Sequence, residues 1–145
     1  MTIEILELTI QDYDDVIILW ESCSGVSIRH ADSRENIERY LNRNQGLNFK
    51  AIKDEKLVGT ILCGHDGRRG YIHHLAVSSN HRNQGIGRKL VETSLCTLKK
   101  QGIEKCHLFV FVENIEAKKF WEGLGWKVRE DINMMSLNIS DSVNP

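Results

Sequence analysis

The stretch that decides the fold is residues 70–99, which read GYIHHLAVSSNHRNQGIGRKLVETSLCTLK. Its beginning is apolar and β-branched, and this predicts a strand that ends at Val77. A polar turn follows, after which apolar residues recur at helical spacing, at Ile86, Leu90, Val91, Leu95 and Leu98. The stretch therefore predicts a strand, a glycine-bearing turn and a helix, in that order.

The predicted start of this helix is an anion site. The first N–H groups of a helix have no backbone partner, and the peptide dipoles favour negative charge there. Gly85 and Gly87 place no side chain over these amides, and Arg82 and Arg88 add positive charge on either side. The third glycine of a dinucleotide fingerprint is missing, and so is the spacing of a Walker loop. A different phosphate ligand is therefore expected.

Composition limits the remaining possibilities. The chain has 145 residues and predicts one domain over residues 1–145. Its charged residues make up 27% and its formal net charge is -1, so neither nucleic acid nor an anionic membrane is an expected partner. The chain shows no leader and no apolar run long enough to span a membrane, which favours a soluble, cytoplasmic protein.

The cysteines and histidines indicate no metal site. The four cysteines are scattered and form no C-x-x-C pair, so reduced thiols are expected rather than a disulfide framework or a metal centre. His73 and His74 are adjacent, and neighbouring side chains of a strand point to opposite faces.

The rest of the chain alternates between helical and extended patterns. A helix is predicted to start at Thr9 and Asp12 and a second at Asp32, each with an acidic residue that suits a helix start. The other predicted elements are strands over residues 3–8, 47–53, 56–64 and 105–112, a last helix over residues 114–124, and closing strands over residues 126–129 and 134–139.

Two motifs together resemble one family. The first is Arg82-x-x-Gly85-x-Gly87 after a strand, similar to the acetyl-CoA signature of the GNAT N-acetyltransferases. The second, in family order and at matching spacing, is Asn114-x-x-Ala117-x-x-Phe120-Trp121-x-x-Leu124-Gly125-Trp126. The resemblance implies an α/β (α+β) fold with a mixed, mostly antiparallel sheet of six or seven strands, flanked by about four helices, in which two central strands splay apart.

The resemblance also implies acetyl-CoA as the co-substrate. Its arm would enter between the splayed strands, held by the backbone of the central strand, while amides of the following turn hold the pyrophosphate and Asn114 binds the arm. The implied cofactor contacts are Leu75, Ala76, Val77, Arg82, Asn83, Gln84, Gly85, Ile86, Gly87, Arg88, Asn114 and Trp121. The two N-terminal helices would overhang the acceptor pocket, with Glu21, Arg29 and His30 either contacting the acceptor or solvated.

Transfer to an amine requires a base, and strand parity suggests candidates. Under strict alternation His73 and Tyr71 share a face with Leu75 and Val77, while His74 lies opposite, although a bulge near Leu75 would change this register. His73 titrates near neutrality and is the main candidate, and Tyr71 is the second.

One residue departs from the family pattern. Trp121 stands where a tyrosine is common, and an indole N–H cannot supply a proton to the departing thiolate. Two functions therefore remain open. The first is an N-acetyltransferase acting on a primary amine of a small molecule or peptide. The second is an acyl-CoA-binding sensor with little catalytic activity. The acceptor is not encoded in a recognisable motif, and exposed end strands make a homodimer a further expectation.

Overall fold

The computed structural model describes residues 2–145, and its centre is one five-stranded sheet. The strands are β1 (Glu4–Glu7), β2 (Phe49–Lys53), β3 (Lys56–His65), β4 (Gly70–Val77) and β5 (Cys106–Leu108). They lie in chain order, with β1 to β4 antiparallel and β5 parallel to β4. The predicted mixed, mostly antiparallel sheet is confirmed, but it has five strands rather than six or seven.

Four α-helices accompany the sheet, as expected. They are α1 (Tyr13–Ser22), α2 (Arg34–Arg43), α3 (Ile86–Lys100) and α4 (Ile115–Gly123). The apolar stripe predicted for α3 is its buried side, because Ile86, Leu90, Val91 and Leu98 are each at most 2% exposed. Within residues 2–145, none of the helices combines the length and the apolar character that crossing a membrane requires.

The core has two parts, one on each face of the sheet. On one face, α3 and Trp121 of α4 pack against β2, β3 and β4. On the other face, α1 and α2 pack against Leu62 and Ala76. Trp20 of α1 is fully buried there and donates its indole N–H to Thr60 Oγ1 at 2.9 Å, which satisfies both polar groups. The sheet therefore presents β4 to a different helix pair on each side.

The end of the chain differs from the prediction. The expected strand over residues 105–112 is limited to Cys106–Leu108, and residues 126–129 and 134–139 form no strands. A strand needs a neighbouring edge to bond to, and the apolar alternation of the sequence does not supply one. The last segment instead runs to Asn144, whose carbonyl accepts the N–H of His30 at 2.9 Å.

The start of α2 also differs by one residue. Ser33, and not Asp32, caps this helix, with its hydroxyl accepting the N–H of Asn36 at 3.3 Å. The carboxylate of Asp32 turns instead toward the sheet. Ahead of α1, the predicted pairing of Thr9 with Asp12 is present at a 3-10 turn over Ile10–Asp12, where the Asp12 carboxylate accepts the N–H of Thr9 at 2.9 Å, as in a capping box.

Candidate functional site

A cleft opens where β4 and β5 separate. Their pairing covers only Gly70, Tyr71 and Ile72, opposite Cys106, His107 and Leu108, and beyond this point the two chain segments diverge. The resulting cleft has a volume of about 780 Å³. Its walls come from β4, residues 108–111, the starts of α3 and α4, and the loop of residues 23–27. The splayed central strands expected from the resemblance are thus present.

A bulge in β4 shapes the wall of the cleft. Thr60 of β3 pairs with Ala76 and Leu62 pairs with His73, so the two residues between them, His74 and Leu75, stand opposite Ile61 alone. His74 takes a left-handed backbone conformation with φ 45°. A bulge of this kind bends the strand and leaves one residue out of the ladder.

The bulge reverses the side-chain parity that strict alternation predicted. Before it, His73 faces α2, with its ring 6.1 Å from that of Tyr40. After it, Leu75 and Val77 pack on the opposite face, in the core that contains α3. The shared face expected under strict alternation is therefore absent, and the alternative, a bulge near Leu75 that changes the register, is what the structure shows. His74 also faces the α1 and α2 side, because its ring lies 4.7 Å from that of Trp20.

The start of α3 forms one end of the cleft. The first intrahelical bond runs from the N–H of Lys89 to the carbonyl of Gly85 at 3.0 Å, so the N–H groups of Ile86, Gly87 and Arg88 precede the hydrogen-bonded ladder. No side chain caps this helix start among the residues that the structure describes. These amides and the helix dipole together suit a phosphate group.

The two glycines of the motif have different structural roles. Gly85 has φ 78°, and a Cβ built on it would meet nothing within 4 Å, so the space above it is open. A Cβ on Gly87 would lie 3.2 Å from the ring of Phe120, so this glycine also allows α4 to approach α3 closely. The open space expected over the helix start therefore lies at Gly85.

The structure brings most of the predicted cofactor contacts together. Those that line the cleft are Leu75, Ala76, Val77, Arg82, Asn83, Gly85, Ile86, Gly87, Arg88, Asn114 and Trp121. Gln84 lies outside the lining, and its side-chain oxygen accepts a hydrogen bond from Lys53 Nζ at 3.0 Å. The positive charge of Arg88 is shared with Glu92, whose carboxylate lies 2.9 Å from Arg88 Nε.

The side chain of Asn114 caps α4. Its side-chain oxygen accepts the N–H of Ala117 at 3.1 Å and so caps α4, which leaves the amide nitrogen as its free donor. A Cβ on Gly25 would lie 3.3 Å from this nitrogen, so the loop of residues 23–27 reaches the start of α4. Trp121 is 8% exposed and lies edge-on to Trp126 at 5.1 Å.

The two base candidates occupy different places. His73 lines the cleft, whereas Tyr71 does not, and its ring stacks 6.5 Å from that of Phe109. Burial lowers the pKa of His73 below its ordinary value, the neighbouring His74 lowers it further, and Asp32 partly opposes both. A neutral His73 imidazole therefore predominates at neutral pH.

Sequence reasoning missed a carboxylate–histidine pair. Asp32 Oδ1 lies 2.9 Å from Nε2 of His74, which lines the cleft. The acidic residue had a ready interpretation as a helix cap, and strict parity placed His74 on the face opposite His73, whereas both histidines face α1 and α2. Since the pair is separated by 42 residues in the chain, only the doublet His73-His74 was available as a signal.

Of the two alternatives for Glu21, Arg29 and His30, the structure shows solvated side chains, because all three are exposed. Glu21, Arg29 and His30 do not line the cleft, and Arg29 and His30 contact Asn144 instead. His81 does line the cleft, near the start of α3, and its Nδ1 is buried without a hydrogen-bond partner in the described part of the chain. Within residues 2–145, no group of three or more His, Cys, Asp or Glu side chains is placed to hold a metal ion.

Comparison with known proteins agrees with this geometry. Residues 13–126 match the acetyltransferase (GNAT) family. An acetyltransferase of Pectobacterium atrosepticum is 31% identical over 130 residues, which cover 90% of this chain and 92% of the relative.

Solved structures share the fold at lower identity. The PaiA N-acetyltransferase of Thermoplasma acidophilum, in complex with coenzyme A, has a TM-score of 0.78 and 24% identity, with 89% of this chain and 92% of that chain covered. An aminoglycoside acetyltransferase from an uncultured soil metagenomic sample, in complex with sisomicin, has a TM-score of 0.75 and 23% identity, with 95% and 97% covered.

The sheet with its parted strands and the amides at the start of α3 define an acyl-CoA-dependent N-acetyltransferase. The chain belongs to the acetyltransferase (GNAT) family.

The lowered pKa of His73 predicts a specific pH dependence of stability. Below the unfolded value of 6.5, the unfolded chain binds a proton that the folded chain resists, so the free energy of unfolding should fall as the pH drops from about 7 towards 5. Urea denaturation across this range should give a shallower fall for His73→Gln than for the unsubstituted protein. Equal slopes for the two proteins would contradict the assignment.

Proposed function

We propose that the protein transfers an acetyl group from acetyl-CoA to a primary amine of a small molecule or a peptide by direct attack. The observation that carries the proposal is that one cleft joins the unpaired amides of α3 to the bulge and the histidines of β4. Such a transfer requires a group of donors that binds the phosphates of the co-substrate and a side chain that accepts a proton from the amine.

The residues present fit the co-substrate. The N–H groups of Ile86, Gly87 and Arg88 would bind the pyrophosphate, with open space above Gly85. The unpartnered Nδ1 of His81 is a further polar atom at this end. Acetyl-CoA supplies a thioester whose carbonyl carbon is open to attack by an amine.

The bulge of β4 would supply a hydrogen-bond donor to the carbonyl oxygen of the thioester. A bulge leaves a backbone amide out of the ladder, and an N–H held in this way can donate to a developing oxyanion. We assign this donor to the backbone of Leu75. The carbonyl of Val77 already accepts Arg82 Nε at 3.3 Å, so the chain after the bulge is held in place. Asn114 would contact the arm through its free amide nitrogen.

A β4 histidine would receive the proton of the amine. His73, the histidine indicated by the sequence, is one of the two that line the cleft. Tyr71 remains a candidate only through a water, since its ring lies outside the lining. Trp121 borders the cleft but cannot supply a proton, so the departing thiolate would take one from water.

The proposal also covers the acceptor, the partners and the location of the protein. We propose a primary-amine acceptor, neither nucleic acid nor membrane as a partner, and a single domain over residues 1–145. The balanced charge of -1 supports the absence of a polyanionic partner. We also propose a cytoplasmic location, in keeping with the free thiols of Cys23, Cys63, Cys96 and Cys106.

A thiol-release assay tests the reaction. The protein should release free coenzyme A from acetyl-CoA above the hydrolytic background with at least one member of a panel of polyamines, aminoglycosides and peptides. Mass spectrometry should find the acceptor heavier by one acetyl group. Tight binding of acetyl-CoA without release for any acceptor would favour the sensor, for which Trp121 in place of the usual tyrosine is the supporting observation.

Gly85→Asp tests the phosphate end. The substitution places a carboxylate over the helix amides and should weaken the calorimetric affinity for coenzyme A by about 100-fold or more. Gly102→Asp is the matched control, because Gly102 also has a positive φ and open surroundings but lies at the other end of α3. Both variants place a side chain at a positive φ, and the helix dipole should make Gly102→Asp the less stable of the two, so reduced affinity in Gly85→Asp alone cannot come from unfolding. Equal affinity in both variants would contradict the site.

We propose that the protein is a homodimer, in which a second copy covers the exposed apolar side chains of the C-terminal segment. Between residues 109 and 143, eleven large apolar side chains are more than half exposed: Phe109, Phe111, Val112, Ile115, Val128, Ile132, Met134, Met135, Leu137, Ile139 and Val143. Exposed apolar side chains in such number are typical of a surface that a partner covers. Residues 135–140 alternate apolar and polar, as a strand added to the free edge of β5 in a second copy would.

Sedimentation velocity tests the dimer. The unsubstituted protein should sediment as a dimer, and Leu137→Asp should shift it to a monomer because the charge falls on the apolar face of the alternating segment. Asn138→Asp, on the other face of the same segment, should leave the dimer intact. A monomer for the unsubstituted protein at about 100 μM would refute the proposal.

A further inference from the structure

Asp32 is a buried carboxylate with a defined set of partners. It is 6% exposed, and its two oxygens accept from His74 Nε2 at 2.9 Å and from the backbone N–H of Arg29 at 3.0 Å. A buried charge is costly unless it is paired and hydrogen-bonded. Because Ser33 caps the following helix, Asp32 is not needed there. Its one side-chain partner in the described chain is a histidine of the cleft wall.

The charge state of Asp32 determines the tautomer of His74. Burial raises the pKa of Asp32, but the hydrogen bonds from His74 and from Arg29 outweigh it and leave this pKa below its ordinary value. An ionised carboxylate can only accept hydrogen bonds. Nε2 of His74 must therefore carry the hydrogen, and Nδ1 of a neutral His74 keeps its lone pair.

The free nitrogen of His74 can be reached. Among the residues that the structure describes, no hydrogen bond engages Nδ1, and it is not among the fully buried atoms that lack a partner. The ring is oriented by Trp20 on one side and by Asp32 at Nε2. The left-handed φ of 45° at this residue is uncommon for a residue other than glycine, and positions of this kind recur at functional sites.

His73 lacks a comparable support. Its ring stacks 6.4 Å from that of Phe109 and meets Tyr40 edge-on, and in the described chain no hydrogen bond selects its tautomer. Its ring therefore forms part of the cleft wall.

Two further titratable or charged groups lie near Asp32 and His74. The hydroxyl of Tyr13 donates to the Asp32 carbonyl at 2.7 Å, and Arg34 lies over the Tyr13 ring.

We propose that His74 is the base of the transfer, with Asp32 as its positioning residue, an inference that rests on the proposed function. The ammonium form of the acceptor gives one proton to Nδ1 of His74, and the neutral amine nitrogen then forms a bond to the thioester carbonyl carbon. The C–S bond breaks, the nitrogen gives a second proton to water as the amide forms, and the thiolate takes a proton from water. Asp32 stabilises the imidazolium until it returns its proton to solvent.

The experiment compares substitutions at the two neighbouring histidines. His74→Asn is the first variant, since asparagine tolerates the left-handed backbone at this position. It should lower kcat/KM for the amine by about 100-fold near neutral pH, and the loss should shrink at high pH, where the amine is already deprotonated. The KM for acetyl-CoA should not change. His73→Asn should keep the pH profile of the unsubstituted protein, whatever its rate.

Two further variants test whether Asp32 and His74 act in the reaction or only stabilise the fold. Asp32→Asn should lower kcat with the same pH signature as His74→Asn. His74→Gly, which also fits the positive φ, opens a space in which added imidazole should restore part of the activity. A purely structural role would show no such rescue.

The possible outcomes distinguish a failure of the base assignment to His74 from a failure of the proposed acetyl transfer. An unsubstituted protein that acetylates an amine, together with a changed pH profile only in His73→Asn, would return the base role to His73 and overturn the proposal. Unaltered profiles in His74→Asn and Asp32→Asn would do the same. No acetyl transfer by the unsubstituted protein to any amine would overturn both the inference and the proposed function.

Discussion

The separation of β4 from β5 is the constraint on which the rest of the structure depends. The two strands pair over three residues each, and β4 then bulges at His74 and Leu75. A bulge adds a residue to one strand only, so the strand bends and its side chains change face. The short pairing of β4 with β5 leaves the cleft open, and the bulge places Leu75 and Val77 in the core with α3 while His73 and His74 both face α1 and α2. The proposed co-substrate would occupy the space between the parted strands.

The cleft joins two regions of different chemistry. At one end, the amides of α3 and two arginines favour a negative group, and the space above Gly85 is open. On the wall formed by β4, the lining includes His74, whose Nε2 is held by the buried carboxylate of Asp32 behind it. In the proposed reaction, a thioester whose diphosphate lies at the start of α3 would reach toward this wall. The histidine belongs to the bulge of β4, so the irregular part of the strand carries the proposed proton acceptor.

The sequence predicted well those features that depend on near neighbours. The α3 stripe, the glycine turn and the capping box of Thr9 and Asp12 are local, because each involves residues within one or two helical turns. The closing strands were predicted wrongly for the complementary reason. Alternation such as that of residues 135–140 describes a face, but a strand must also pair with an edge, and in the described chain these residues pair with none.

The sequence by itself determined the order of strand, glycine turn and helix, and with it the uncapped start of α3 at one end of the cleft. Only the tertiary structure decided which side chains share the cleft. Asp32 and His74 are 42 residues apart, and their hydrogen bond exists because α1 and α2 fold over a strand whose parity has been reversed. Parity along a strand follows from sequence only while the ladder is regular. A bulge depends on how two strands fit together, so it becomes visible only once they are paired.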